Sequence, residues 1–114
     1  MHELSVTENI LKIALRHANE NNAKIINDIY LVIGDLSSIV DDAVEFYWNI
    51  VAENTIAKDA RLHFKRIQAI LQCQECLAEY QLSQKELSCP KCGSDQVRIV
   101  SGDEFYLEAI EIDR

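Results

Sequence analysis

Two cysteine pairs organise the sequence: Cys73-Gln74-Glu75-Cys76 and, twelve residues later, Cys89-Pro90-Lys91-Cys92-Gly93. Each Cys-x-x-Cys pair can fold into a tight turn that presents two thiolates to one ion, and two such pairs at this separation match the ligands of a tetrahedral zinc site. Pro90 and Gly93 favour such a turn, because proline presets φ and glycine tolerates a positive φ. The spacing therefore predicts one zinc ion held by Cys73, Cys76, Cys89 and Cys92.

These four residues are all the cysteines of the chain, and they are also compatible with two structural disulfides or with a redox-active dithiol. Paired Cys-x-x-Cys spacing favours metal over both alternatives. A site closed by four thiolates has no open coordination position, so the expected zinc is structural. The zinc site alone does not indicate what the protein does.

The composition indicates an acidic chain with enough apolar residues for a core. Its 114 residues, 48% of them hydrophobic, suit one small domain that carries a metal-stabilised insert. The formal net charge is −8, from 11 Lys and Arg against 19 Asp and Glu. Segment 73–100 has four acidic and three basic side chains and therefore contributes −1. A zinc ribbon that grips phosphates needs a basic face, so we expect no nucleic-acid partner.

The sequence shows no targeting or membrane segment. No apolar run approaches the roughly 18 residues that span a bilayer, and the N-terminus lacks the basic stretch and apolar block of a secretory signal. We therefore expect no membrane contact and a cytoplasmic location, where cysteines stay reduced and available to metal.

Hydrophobic periodicity predicts two helices. The first ends near Asn19 and is expected to begin near Val6, because Ser5 and Glu8 fit a capping box. The second is expected over residues 40–53. The side chains predicted to face a sheet from this second helix are Ala43, Phe46, Tyr47, Ile50 and Val51.

Three longer strands are predicted at residues 24–34, 60–71 and 104–113. The first is expected to have one covered face and one largely wet face that carries Asp28 and Tyr30. The apolar phase of the second shifts at Ile67, which indicates a bulge or a change of packing face. Shorter strands are expected at 78–82 and 96–100, after each cysteine pair.

Together these elements predict an α+β fold in which two helices pack on a three-stranded mixed sheet and a four-cysteine zinc-ribbon lobe is inserted. We expect residues 1–70 plus 103–114 to form the α/β lobe and residues 71–102 to form the zinc-binding lobe. The strand–helix–strand order implies a right-handed parallel crossover if those two strands are neighbours.

No catalytic constellation is evident, so we expect that the protein is not an enzyme. His17 and His63 are expected to be structural or exposed, because a titratable group needs a partner before it can act. Asp35, Asp41 and Asp42 lie around the turn before the second helix, where carboxylates usually cap the helix start.

His2 differs from the other histidines because of its position. An imidazole at residue 2 lies near the terminal amine and the first backbone amides, and these nitrogens can form a nearly planar array. Square-planar nitrogen coordination suits Ni(II) or Cu(II) and suits tetrahedral zinc poorly. On its own, a histidine at this position usually has no metal-binding role.

Five motifs occur along the chain in a specific order: Met1-His2-Glu3-Leu4-Ser5, Ile33-Gly34-Asp35-Leu36-Ser37, Ala60-Arg61-Leu62, the four cysteines, and Gly102-Asp103. A chain with these motifs in this order resembles the HypA/HybF family of hydrogenase nickel-incorporation proteins. The resemblance covers essentially the whole chain. The opening Met-His-Glu and the two cysteine pairs are its most specific parts.

The resemblance implies a nickel site and a zinc site. In that family the N-terminal histidine is a nickel ligand, supported by the terminal amine and nearby backbone nitrogens, and the four cysteines hold zinc. It therefore implies nickel at Met1, His2 and Glu3. It leaves open whether Asp35, Asp41 or Asp42 completes that site.

The function implied by the resemblance is that of a nickel metallochaperone, which binds Ni(II) as cargo at its N-terminus and helps to insert it into nickel–iron hydrogenase. The implied partners are an accessory GTPase of hydrogenase maturation (HypB-like) and the hydrogenase large subunit, and a homodimer is left open. The alternatives are an acidic zinc-ribbon adaptor module in protein or nucleic-acid complexes, and a dithiol redox protein.

Overall fold

The computed structural model describes residues 2–82 and 87–114, with side chains from Glu3 onward. Within these residues the strands form two three-stranded sheets, with strand orders β2-β1-β6 and β4-β3-β5. The elements are α1 His2–Glu20, β1 Ile25–Gly34, α2 Asp41–Val51, β2 Arg61–Ile67, β3 Ile70–Cys73, β4 Glu79–Gln81, β5 Val97–Ser101 and β6 Phe105–Asp113. The predicted α+β fold, with two helices and a three-stranded mixed sheet, is confirmed. No helix in the described part of the chain is long and apolar enough to cross a membrane.

Strand β1 is the centre of the first sheet. On the β6 side, backbone hydrogen bonds join Lys24 to Asp113 and Gly34 to Glu104. On the β2 side, a backbone hydrogen bond joins Asp35 to Ile67, and a side-chain hydrogen bond joins Asp28 to Arg61. As the residue number increases along β1, the number of the bonded residue decreases in β6 and increases in β2. Strand β1 is therefore antiparallel to β6 and parallel to β2, which makes the sheet mixed.

Strand β1 is buried on both faces, and the expectation of one wet face is wrong. Ile29 and Leu31 are fully buried, and Ile26 (0% exposed), Asp28 (5%) and Val32 (1%), which alternate with them, are buried too. A central strand has neighbours on both edges, and long side chains from those neighbours cover its outer face. The sequence pattern indicates which residues alternate, but it does not show that β1 is central.

Helix α1 begins at His2, ahead of the expected start, so Ser5 and Glu8 lie inside the helix and do not form its cap. The hydroxyl of the fully buried Thr7 donates a hydrogen bond to the Glu3 carbonyl (2.5 Å). This bond ties the first turn to the second and supports the earlier start. The buried stripe of the helix consists of Ile10, Leu11, Ala14 and Ala18.

Helix α2 buries a different face from the predicted one. Its buried residues are Val44 (0% exposed) and Trp48 (2%), and the indole Nε1 of Trp48 donates to the Ala57 carbonyl (3.2 Å). Phe46 and Ile50, which were predicted to face the sheet, are 61% and 57% exposed. The helix is apolar on two sides. The side with Trp48 is buried because that side chain removes the largest apolar area from water and its polar N–H finds an acceptor.

The predicted strand 60–71 is two strands that belong to different sheets. Strand β2 ends at Ile67, where the apolar phase shifts, and β3 begins at Ile70. Gln68 and Ala69 lie between the two strands, so the chain leaves the first sheet after β2 and β3 pairs with β4 and β5 in the second sheet. The predicted change of packing face is thus a complete change of sheet.

Close backbone contacts near this break explain two glycines. A Cβ added at Gly34 would lie 2.0 Å from the Gly102 carbonyl oxygen, and a Cβ added at Gly102 would lie 2.6 Å from the Ala69 Cα. Gly102 also has a φ of +109°, a conformation that only glycine adopts without strain. The backbones around Gly34, Ala69 and Gly102 can approach this closely because the two glycines have no side chain.

The chain divides into two compact units. The first consists of Met1–Val32, Ser38–Lys65 and Tyr106–Arg114, and the second of Ile33–Ser37 and Arg66–Phe105. The second unit extends beyond the cysteine-bearing segment because it includes the glycine contacts. The division proposed from the sequence, into a nickel-binding α/β lobe of residues 1–70 plus 103–114 and a zinc-binding lobe of residues 71–102, remains a prediction.

Candidate metal centre

The second sheet positions the first cysteine pair. Cys73 is the last residue of β3, where it pairs with Val97 of β5, and its amide donates to the Ala78 carbonyl (2.9 Å). Both edges of β3 are bonded, since β4 lies on one side and β5 on the other. Cys76 follows in the turn that leads to β4. The sheet therefore fixes the start of this turn.

The second cysteine pair lies in the loop between β4 and β5 and is closed by its own backbone bonds. The amide of Cys89 donates to the Ser94 carbonyl (2.9 Å), and the amide of Gly93 donates to the Cys89 carbonyl (2.8 Å). The hydroxyl of Ser88 donates to the Asp95 carboxylate (2.7 Å), which joins the two ends of the segment 88–95 that carries this cysteine pair.

The two turns have the same geometry. In each, the residue after the second cysteine has a positive φ, +65° at Leu77 and +77° at Gly93. That residue donates its amide to the carbonyl of the first cysteine, at 3.0 Å and 2.8 Å. The amide of the second cysteine lies 3.4 Å from the sulfur of the first in both turns. Such amide–sulfur hydrogen bonds favour the thiolate over the thiol.

The four sulfurs converge on one point. All lie within 4.8 Å of one another, with Cys73 Sγ 3.5 Å from Cys92 Sγ and Cys76 Sγ 3.6 Å from Cys89 Sγ. A tetrahedron whose corners lie about 2.3 Å from its centre, the zinc–sulfur distance, has edges of about 3.8 Å. All four cysteines are free. The cluster thus has the size and the donor set of a tetrahedral zinc site.

The thiols of Cys73, Cys89 and Cys92 differ in acidity, because the pKa is lowered at the first two and raised at the third. The hydrogen bond from the Cys76 amide is the main cause that lowers the pKa of Cys73 to about 6, and the Cys92 amide likewise lowers the pKa of Cys89. The Ser94 amide acts in the same direction on Cys92, but hydrogen bonds with neighbouring thiols, Cys73 first, and burial outweigh it and raise the pKa of Cys92 to about 12. A divalent cation would supply the charge that ionises all four.

Equivalent positions in the two turns should respond in opposite ways to substitution. Gly93→Ala should destabilise the zinc-loaded protein by about 1 kcal/mol, because the added Cβ meets nothing within 4 Å and only the strain of a positive φ remains. Leu77→Gly relieves the same strain and removes a side chain that is 66% exposed, so it should be neutral or slightly stabilising. Thermal unfolding of both variants at saturating zinc checks this pair. An equal loss of stability in both would show that positive φ is not the common constraint.

The predicted nickel ligands lie at the start of α1. Met1 and the side chain of His2 are outside the described residues, so the structure does not show their positions. The backbone of His2 opens the helix, and Glu3 lies in its first turn. The first four N–H groups of an α-helix have no acceptor within the helix. The amides of His2 and Glu3 are therefore not used by the helix itself.

No carboxylate occupies the N-cap position of α2, although the sequence suggested that one of them caps the helix. The N-cap is Val40, and it makes no side-chain cap bond. Asp41 and Asp42 lie in the first turn, where negative charge interacts favourably with the helix dipole. Among the described residues, only the four cysteines form a group of three or more side chains close enough to share a metal ion.

A polar cluster that the sequence pattern did not predict lies on the first sheet. The buried Asp28 has its Oδ1 2.8 Å from His63 Nε2, and the same oxygen accepts a bond from Arg61 Nε (3.2 Å). The bond to His63 is the main cause that holds the pKa of Asp28 below its usual range. The Tyr30 ring stacks on His63 at 4.6 Å, and its hydroxyl donates to Glu111 (2.7 Å). An aspartate inside a mostly apolar strand was the available sign, and the cluster supports a structural role for His63.

Comparison with known proteins gives consistent matches along the chain. The family model described as "Hydrogenase/urease nickel incorporation, metallochaperone, hypA" matches residues 1–112. A protein of Dehalococcoides mccartyi named hydrogenase maturation factor HypA is 42% identical over 113 residues, which cover 99% of this chain and 95% of that protein. A protein with the same name from Caldanaerobacter subterraneus subsp. tengcongensis is 38% identical over 114 residues, covering 99% of this chain and all of that one.

Solved structures also share the fold. The solution structure of the Ni metallochaperone HypA from Helicobacter pylori superposes with a TM-score of 0.69 at 26% identity, and the match covers 97% of each chain. A second solution structure, of a HypA protein, gives a TM-score of 0.73 at 27% identity and covers 98% of this chain and 96% of that one. Similarity in sequence and in structure therefore extends over both compact units.

Proposed function

This chain belongs to the HypA family of nickel-incorporation metallochaperones, and from that premise we propose that it binds Ni(II) at its N-terminus and helps to insert the ion into nickel–iron hydrogenase. The observation that carries the proposal is a family match that starts at residue 1, on a helix that begins at His2. Nickel is the cargo in this proposal. No step needs a catalytic residue, so we propose that the protein is not an enzyme.

The proposed nickel site uses nitrogens of the first residues of the chain. The terminal amine of Met1, the first backbone amides and the imidazole of His2 would together form a planar set, which suits Ni(II). Because the helix does not use its first amides, binding there breaks no helical hydrogen bond. The carboxylate of Glu3 is adjacent and could complete the set. A site at a chain end is open on one side, which suits an ion that must be passed on.

We propose that the four cysteines hold a resident zinc ion. The sulfur spacing and the all-thiolate donor set fit zinc, and the closed coordination leaves no position for a substrate. Bound there, zinc would join the loop between β4 and β5 to the end of β3. Its proposed role is to keep the second unit folded as a rigid docking module.

The family membership also supports proposals about context. As a hydrogenase maturation factor, the protein would work with an accessory GTPase (HypB-like) and with the hydrogenase large subunit. The proposed location is the cytoplasm, where free thiols remain reduced. The two metals would act in separate steps, one as cargo and one as structural support.

Nickel should therefore bind without displacing zinc. Thiolates in a closed tetrahedral cage and nitrogens in an open plane select different ions. The experiment is a calorimetric titration of the zinc-loaded protein, made without an N-terminal tag and with its N-terminal residue confirmed by intact mass, with free zinc followed by a chromophoric indicator. The expected result is one equivalent of nickel bound and no zinc released. Stoichiometric zinc release, or a spectrum dominated by thiolate-to-nickel charge transfer, would place nickel at the cysteines and refute the proposal.

A further inference from the structure

Helix α2 has an apolar stripe that the fold leaves in solvent. Phe46 and Ile50, 61% and 57% exposed, are four residues apart and so lie one above the other on the same side of the helix. Large apolar side chains gain free energy when they are removed from water, so leaving two of them together in solvent is unfavourable. A stripe of this kind on a surface helix is typical of a contact site.

A groove lies beside this stripe. It has a volume of about 570 Å³ and is lined by residues of both helices, with Leu11 and Leu15 of α1 and Val51 of α2 supplying its apolar part. Consecutive residues of an α-helix point about 100° apart, so Val51 lies on the side of α2 that lines the groove, next to the side that carries the stripe. Helices α1 and α2 pack against each other. A third helix can pack between two packed helices in this way, because the side-chain ridges of one helix fit between those of its neighbours.

In the sequence around the stripe, all the charged side chains are acidic. Residues 25–57 include six Asp or Glu and no Lys or Arg. Three of these acidic side chains, Asp42, Glu45 and Glu53, are exposed on or just after α2. The groove itself contains one acidic and one basic side chain, Glu8 and Lys12. A partner that buries the stripe must therefore bring positive charge to the α2 side.

We propose that the stripe and the groove together bind an amphipathic helix of a partner protein, with apolar residues at helical spacing and flanking Lys or Arg that face Asp42, Glu45 and Glu53. Helix-in-groove recognition uses this combination of apolar anchors and charged rims. A second copy of this chain would set acidic side chains against each other, and an anionic lipid surface would be repelled in the same way. The inference goes beyond the proposed function, because it names a partner chemistry and needs no bound nickel.

The test uses synthetic helical peptides of about 18 residues, five turns of helix. The first peptide has leucines at positions i, i+3, i+4 and i+7 with lysine flanks, the second has glutamate flanks, and the third is a scrambled form of the first. Binding to the zinc-loaded protein is measured by fluorescence anisotropy, and the contact surface is mapped by NMR on the methyl groups of Leu15, Ile50 and Val51. Two double variants are tested. Phe46→Ala with Ile50→Ala removes the apolar stripe, and Glu45→Gln with Glu53→Gln removes two of the acidic charges. Tyr106→Ala, which removes an exposed aromatic elsewhere on the first unit, is the matched control.

The lysine-flanked peptide should bind saturably and shift the three methyl groups, and the other two peptides should bind at least about tenfold more weakly. Each double variant should weaken binding of the first peptide by about tenfold or more, while Tyr106→Ala should not change it. Binding should also persist in His2→Ala, so failure of the nickel site and failure of this inference are distinguishable. Equal binding of the scrambled peptide, shifts confined to other residues, or no binding at all would overturn the inference. Self-association lost in Phe46→Ala with Ile50→Ala would overturn it too, in favour of a second copy.

Discussion

Replacing His2 with alanine should abolish stoichiometric nickel binding while zinc content and fold stay unchanged. The substitution removes the one imidazole of the proposed planar site, and we expect the nickel affinity to fall by about 100-fold or more, since even residues that only support a metal ligand contribute 10–100-fold. The fold should survive because the packed stripe of α1 begins well after residue 2 and the four cysteines are untouched. Calorimetric titration near neutral pH, with zinc measured in each sample, tests this result.

His17→Ala is the matched control for this substitution. His17 lies on the same helix, its side chain is half exposed, and its ring nitrogen is 3.9 Å from the Glu20 carboxylate. Removing it should leave nickel binding unchanged, because no planar array of nitrogens surrounds it. Nickel binding by His2→Ala that is as tight as in the unaltered protein would move the site elsewhere.

A short extension before Met1 separates the position of His2 from its residue type. The extension converts the terminal amine to an amide, which is a much poorer ligand at neutral pH, and it crowds the coordination plane. Nickel binding should therefore weaken although His2 is still present. If the extended protein binds nickel as tightly as the native chain, the imidazole acts without the terminal amine, and a side chain such as Glu3 or Asp41 becomes the more suitable co-ligand.

Removal of one zinc ligand should have the largest effect on folding. Cys73→Ala should abolish zinc binding and unfold the second sheet, because the apparent free energy of zinc binding by such thiolate sites, about 10–16 kcal/mol, is also folding free energy. Cys73 is fully buried at the end of β3, so the same substitution leaves a gap in the small core of this unit. Metal analysis and amide hydrogen exchange by NMR would show loss of zinc and of protection over 70–101.

The first unit should keep its protection in Cys73→Ala, since the buried residues of α1, α2 and the start of β1 form a core of their own. Ser88→Ala is the matched control, because it removes a hydroxyl next to Cys89 that bonds Asp95 but donates nothing to the sulfurs. It should retain one zinc ion per chain. Native mass spectrometry that finds two disulfides and no zinc in the unaltered protein would contradict the whole assignment.

The sequence was sufficient wherever structure depends on short-range spacing. The Cys-x-x-Cys pairs form two turns of the same geometry, because two residues between ligands leave few ways to aim both sulfurs at one point. Periodicity located both helices and most strands to within a few residues, but it merged β2 and β3 into one predicted strand. The change in apolar phase at Ile67 also predicted where the strand is interrupted, since a strand cannot change its buried face without an irregularity.

Tertiary structure decided which of several apolar surfaces are buried. The pattern of α2 offers two apolar sides, and periodicity cannot rank them; Trp48 is buried because its indole fills the interior and reaches the Ala57 carbonyl, which leaves Phe46 and Ile50 in solvent. Likewise, alternation along β1 does not show that both of its edges are paired, so the burial of Asp28 against His63 was not foreseen. The contact of Gly34 with Gly102 joins residues far apart in the chain. Such features depend on partners that are distant in sequence, whereas a local pattern records only each residue's own preference.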